Sequence, residues 1–159
     1  MTRTIAIAPV KKAVIVNVSQ ADAFDVFTSG IDRWWPETHH IGEAPVVKQV
    51  IEPRKGGRWY TLHADGKETT TGRMLAWEPP GRIVFSWEIN SRWKPEPDRA
   101  LASEVEVRFI AETPTRTRVE LEHRNFERMA DRAGAEKMRD GVDGGWPGIL
   151  ELFRKIAEG

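Results

Sequence analysis

The chain contains no cysteine. That absence removes disulfide frameworks, thiolate metal sites and cysteine nucleophiles together. No serine sits in a G-x-S-x-G elbow either, so acyl-enzyme chemistry has no visible carrier. Charge of one sign is also lacking: 24 Lys and Arg balance 24 Asp and Glu. Long-range attraction for phosphate backbones or anionic membranes is therefore not encoded, and no nucleic-acid partner is expected. No stretch approaches the roughly 18 consecutive apolar residues of a membrane span. The run at Met1 to Pro9 is broken by Pro9 and followed by Lys11-Lys12, too short for a signal-peptide core, so the chain reads as soluble and cytoplasmic with no membrane insertion. Gly56-Gly57 lacks the remaining glycines and the Lys-Ser/Thr ending of a phosphate loop. His39 and His40 are adjacent and cannot easily face one metal, which predicts a solvated loop and neither metal nor cofactor. Tyrosine occurs once.

Against that single tyrosine stand seven tryptophans. Tryptophan supplies a large apolar area with one polar handle, and clusters of it build cores or line pockets. At 159 residues the chain is long enough to bury a core without staples, and residues 1–159 read as a single domain. Val142, Trp146, Ile149, Phe153 and Ile156 recur at helical spacing, so a closing helix from Glu136 to Glu158 presents one apolar stripe that needs something to cover.

Upstream the pattern is that of strands. Ala13 to Val18 is rich in β-branched residues, and Ser19 with Asp22 looks like the cap of a short helix buried through Ala23, Phe24 and Phe27. A further helical turn runs through Ile31 to Trp35 before Pro36. Ala44 to Glu52, Arg58 to His63, Glu68 to Trp77, Ile83 to Ile89, Glu104 to Phe109 and Thr117 to His123 then follow as strands, with Asp65-Gly66 a hairpin turn. Ser91 to Ala102, holding Trp93, Pro95 and Pro97, is the longest irregular stretch and reads as a mobile flap. On this alternation the concave face carries Trp59, Thr61, His63, Met74, Phe85, Trp87, Val107, Phe109, Val119, Leu121 and His123. The opposite face is charged and reads as solvated ion pairs.

Two features do not belong to plain packing. His63 and His123 face inward, where a polar group needs a partner, either backbone and water or a ligand. Pro147, flanked by Gly144, Gly145 and Gly148, costs the closing helix a hydrogen bond. Either a new helix starts near Trp146, or a kink lifts part of the helix off the sheet and opens a cavity.

The order of Trp34-Trp35-Pro36, Gly56-Gly57-Arg58-Trp59, Asp65-Gly66, Gly72-Arg73-Met74, Trp77-Glu78-Pro79-Pro80, Ile83-Val84-Phe85-Ser86-Trp87 and Gly145-Trp146 resembles the SRPBCC superfamily. Within it, Lys12 to Ala157 is similar to the bacterial branch related to the C-terminal domain of the activator of heat-shock-protein-90 ATPase. The resemblance implies an α+β helix-grip fold: a curved antiparallel sheet around a long C-terminal helix, with a cavity between them, as in START and birch-pollen-allergen-like proteins. Superfamily members bind lipids, sterols, hormones or polyketides, and some are cyclases.

The leading expectation is a binder of a small apolar or aromatic molecule. Trp59, Met74, Phe85, Trp87, Trp146 and Leu150 supply apolar walls, His63 and His123 orient a polar group, and Trp35 and Trp93 sit near the mouth. A cyclase or hydrolase using His63 or His123 as acid or base is the alternative, and a chaperone-linked or self-associating interaction module is a third.

Overall fold

A computed structural model describes residues 7–36, 39 and 44–159; the readings that fall on residues 1–6 and on the loop with His40 lie outside the described residues. The strands are β1 (Val10–Val16), β2 (Val46–Ile51), β3 (Arg58–His63), β4 (Glu68–Glu78), β5 (Arg82–Trp87), β6 (Ser103–Thr113) and β7 (Arg116–Arg124). They form one antiparallel sheet of order β1-β7-β6-β5-β4-β3-β2, curled around the C-terminal helix. The helix-grip architecture is thus present. The first strand begins three residues earlier than its apolar content suggests, because Val10 pairs with His123 and is fully buried.

Two short helices join β1 to β2. In α1 (Gln20–Phe27) the Ser19 side chain accepts a hydrogen bond from the Asp22 amide at 3.1 Å, the expected N-cap, and Ala23, Phe24 and Phe27 are its buried side. In α2 (Ile31–Trp34) Ile31 and Trp34 are buried, and the chain turns out at Trp35 before Pro36. The Trp34 indole donates to the Val26 carbonyl at 2.8 Å, tying the two helices together.

The closing helix, α3 (Arg132–Glu158), is longer than its apolar stripe and runs through Pro147 without a break. Asp131 caps it by accepting from the Gly134 amide at 2.8 Å. A new helix starting near Trp146 is therefore not what forms: one helix starts at Arg132 and passes through Pro147. The reason is tertiary: Pro147 is on the exposed side, while Val142, Trp146, Ile149, Leu150 and Phe153 are buried against the sheet. Burying each such side chain stabilises by about 1.5–3 kcal/mol, which together outweighs the roughly 3 kcal/mol a helical proline costs.

The segment after β5 is not a loose flap. Asn90 donates from its amide to the Lys94 carbonyl at 2.9 Å and Glu96 to the Glu88 carbonyl at 2.9 Å, Ile89 bridges to Pro95, and a 3-10 turn spans Arg99–Leu101. Folded back in this way, it helps shelter Ser86 and Glu88 on the outer face. That face is consequently more than a solvated charge pattern. Arg73 pairs with the buried Glu88 at 2.7 Å, and Glu106, 4% exposed, takes Arg82 at 2.5 Å and Arg124 at 2.6 Å. Burial alone would raise the Glu106 carboxyl, but hydrogen bonds from Arg82, Arg124 and Arg108 outweigh it and hold the group at about 2.

Candidate functional site

A cavity of about 330 Å³ opens between the sheet and the middle of α3. Its walls come from four places in the chain: Trp35 and His39 after α2, Thr71 on β4, Trp87 with Ile89 and Trp93 at and beyond the end of β5, and one face of α3. That face is Gly141, Val142, Gly145, Trp146 and Ile149, whose spacing places them on adjacent turns. The two glycines leave this part of the helix surface without side chains. An added Cβ at Gly145 would meet nothing within 4 Å, whereas one at Gly141 would sit 3.2 Å from the Trp93 indole. Trp93, 45% exposed, therefore lies across the mouth with its ring against Gly141.

The aromatic walls are a connected set. Trp35 meets Trp146 at 6.0 Å between ring centroids, and Trp87 meets Trp146 at 5.9 Å. Behind them, Trp35 packs edge-on against Trp59 at 4.7 Å, and Trp59 against Phe85 at 5.2 Å. Such contacts hold the rings in fixed positions relative to one another.

Of the nine residues singled out from the sequence, Trp35, Trp87 and Trp146 line this cavity. Trp59, Met74, Phe85 and Leu150 are buried in the core behind it. His63 is buried and pinned, one ring nitrogen on the Ala44 carbonyl at 2.9 Å and the other on the Thr69 hydroxyl at 2.7 Å, and it does not border the cavity. His123, fully buried, supports the wall from the rear. Its Nδ1 accepts from the Trp146 indole at 3.2 Å; an indole only donates, so the ring proton lies on Nε2 and goes to the Ser103 hydroxyl at 2.9 Å. Trp93 borders the cavity and is partly exposed. Thr71, Ile89, Gly141, Val142, Gly145, Ile149 and His39 were not singled out. The Trp146 stripe could have flagged Gly145 and Val142, and the His39 carbonyl takes the Trp35 indole at 2.9 Å, a contact no local pattern announces.

Among the described residues, the lining holds no carboxylate, lysine or arginine. Among the described residues there is also no group of three or more His, Asp or Glu that could hold a metal ion, and no helix long and apolar enough to cross a membrane. Burial pushes His123 down to about 3 from its ordinary 6.5, so the ring behind the wall is neutral. Because the folded value lies below the unfolded one, the unfolded chain takes up a proton that the native chain refuses. The stabilising contribution is complete above 6.5 and is lost as pH falls toward 3, with a slope approaching about 1.4 kcal/mol per pH unit. The urea midpoint of the wild type is expected to drop between roughly pH 6 and 5, and that of His123→Gln to stay flatter. Parallel profiles would show that His123 does not titrate as a buried neutral group.

A family model described as activator of Hsp90 ATPase homolog 1-like protein matches residues 17–158. A solved structure of an anthrahydroquinone-γ-pyrone synthase, Txn09, complexed with SUM is 38% identical, with a TM-score of 0.67 over 95% of this chain and 97% of that one. CalC from Micromonospora echinospora, described as a self-sacrificing resistance protein, is 31% identical, with a TM-score of 0.69 over 94% of this chain and 93% of its own. CalU16 from the same organism, at 21% identity and a TM-score of 0.60 over 95% and 76%, shares the fold. No curated protein matches the chain.

Proposed function

The chain belongs to the activator of Hsp90 ATPase homolog 1-like family, and we propose that it binds an uncharged, fused-ring aromatic molecule in the cavity between sheet and helix. The observation that carries this reading is the lining itself: Trp35, Trp87, Trp93 and Trp146 around about 330 Å³, with glycines at 141 and 145 where the helix would otherwise fill the space. A cavity of this size takes a small organic molecule, and flat indole walls suit flat rings. The described residues of the lining include no Lys, Arg, Asp or Glu, which favours a neutral ligand, since a buried charge without a partner is costly. Likeness to Txn09, named for a product with fused rings, supports the same class.

A role for His63 or His123 as acid or base has less support. His63 and His123 both spend their ring nitrogens on protein partners, and neither borders the cavity. A proton acceptor needs a free lone pair within reach of the substrate.

Titration of the purified protein with fused-ring aromatics, sterols and acyl chains, followed by tryptophan emission, tests the proposal. A saturable change with the ring compounds is the expected result. Silence with ring compounds alongside saturation by acyl chains would overturn the ligand class, and silence throughout would overturn binding.

A further inference from the structure

Trp93 stands in a backbone conformation that its side chain does not favour. Its φ is 59°, and the other left-handed non-glycine residue among those described is Asn125. Asparagine tolerates that region, whereas a bulky residue rarely enters it. The loop that imposes it is firmly tied. The Asn90 amide donates to the Lys94 carbonyl and the Trp93 amide to the Asn90 carbonyl, both at 2.9 Å, while the Asn90 side-chain oxygen accepts from the amides of Arg92 at 3.0 Å and Lys94 at 3.2 Å. A hairpin loop closed in this way ends on a left-handed position, where glycine is the usual occupant. Strain of this kind persists where the surroundings impose it, and it gathers at ligand clamps.

The surroundings here are glycines of α3. A Cβ at Gly141 would lie 3.2 Å from the six-membered ring of Trp93, and one at Gly134 would lie 2.7 Å from the Ser91 hydroxyl oxygen. Positions 134 and 141 are two turns apart on one helix face, so the loop is seated on a strip without side chains at both of its contacts. The same strip reaches the cavity at Gly141 and Gly145. Of the four tryptophans in the lining, Trp35, Trp87 and Trp146 are buried, and Trp93 alone of them also meets solvent over much of its ring.

We propose that Trp93 is the residue that retains the ligand: its indole covers the bound ring compound, and release waits for the indole to move aside. This rests on the ring-binding reading above and adds the residue that sets how long the ligand stays. A ligand filling the cavity would bury part of an apolar ring that water now touches, and that gain exists only in the bound state. The ties at Asn90 and the seat on α3 hold the loop backbone in place, so the movement is a rotation of the side chain and not an opening of the loop.

The probe is 9-anthracenemethanol, a neutral fused-ring alcohol whose own emission reports its binding. Stopped-flow dissociation is expected to be about tenfold or more faster from Trp93→Gly than from the wild type, with association unchanged or faster. Trp93→Phe, which keeps a ring at the same backbone position, should fall between them. A role in the fold alone would not speed release while sparing association. Iodide quenching adds a direct readout: the part of the wild-type quenching that Trp93→Phe removes is expected to disappear when the probe is bound, because the ligand then shields Trp93. Equal release rates from the wild type and Trp93→Gly would overturn the retaining role and leave ring binding standing. Slower association with unchanged release would assign Trp93 to shaping the empty cavity and overturn it as well. No binding of the probe by the wild type would overturn both readings. Should Trp93→Gly not fold, iodide access to Trp93 that bound probe leaves undiminished would overturn the proposal.

Discussion

Gly145→Leu is expected to abolish ligand binding while leaving the protein as stable as before or more so. Gly145 lines the cavity, and a Cβ placed there meets no atom within 4 Å, so the new side chain enters the space that the ligand would occupy. Affinity for a ring compound bound by the wild type should fall by roughly 100-fold or more, because rigid rings cannot share a volume with a branched side chain. Replacing a helical glycine meanwhile removes a cost of about 1 kcal/mol. Thermal melting and dialysis on one sample separate the two effects. Undiminished affinity in a folded variant would place the ligand elsewhere on the protein.

The opposite outcome is expected at Gly72. An added Cβ there would lie 1.7 Å from the Ser86 carbonyl oxygen, a backbone atom of the neighbouring strand. The two strands cannot part locally without cost. The Arg73 amide donates to the Ser86 hydroxyl at 2.9 Å, that hydroxyl donates to Glu88 at 2.5 Å, and Glu88 holds Arg73 at 2.7 Å. Gly72→Ala therefore has to break a buried polar network, and is expected to lose about 4 kcal/mol or more, a large share of a typical domain's stability. Gly144→Ala, on the exposed side of α3 with nothing within 4 Å of the new Cβ, should instead gain up to about 1 kcal/mol. Urea midpoints of the two variants against the wild type check both signs. A Gly72→Ala protein of normal stability would mean that β4 and β5 do not approach as described.

The strand alternation made the sheet legible from the sequence, because its period is two and half of each strand is buried. Trp59, Met74, Phe85, Val107, Phe109, Leu121 and His123 all fall on the inner side as that period requires. What the alternation cannot carry is a change of parity. A bulge leaves Thr71, read as part of a plain strand, as an extra residue between the pairs Trp59–Gly72 and Tyr60–Thr70, and Thr71 borders the cavity. Burial on both sides of β5 was likewise invisible, since Ser86 and Glu88 look like solvent-facing residues until the segment after β5 folds back over them. The tryptophans were recognisable as wall material. Which of them wall the cavity and which fill the core depends on the position of α3, and Trp35, Trp87 and Trp146 could not be told apart from Trp59 by type or spacing.

The position of β1 at one edge of the sheet bears on how the protein is made. Its partner is β7, with Val10 opposite His123 and Val16 opposite Thr117, so the first strand of this sheet to be synthesised is paired by the last of the sheet. The strands between need only their neighbours in sequence, whereas β1 must stay unpaired until β7 has been synthesised, a delay on the order of ten seconds at ordinary elongation rates. Lys11 and Lys12 lie within that strand. Positive charges at these positions keep a β-branched segment from pairing with other chains during the wait.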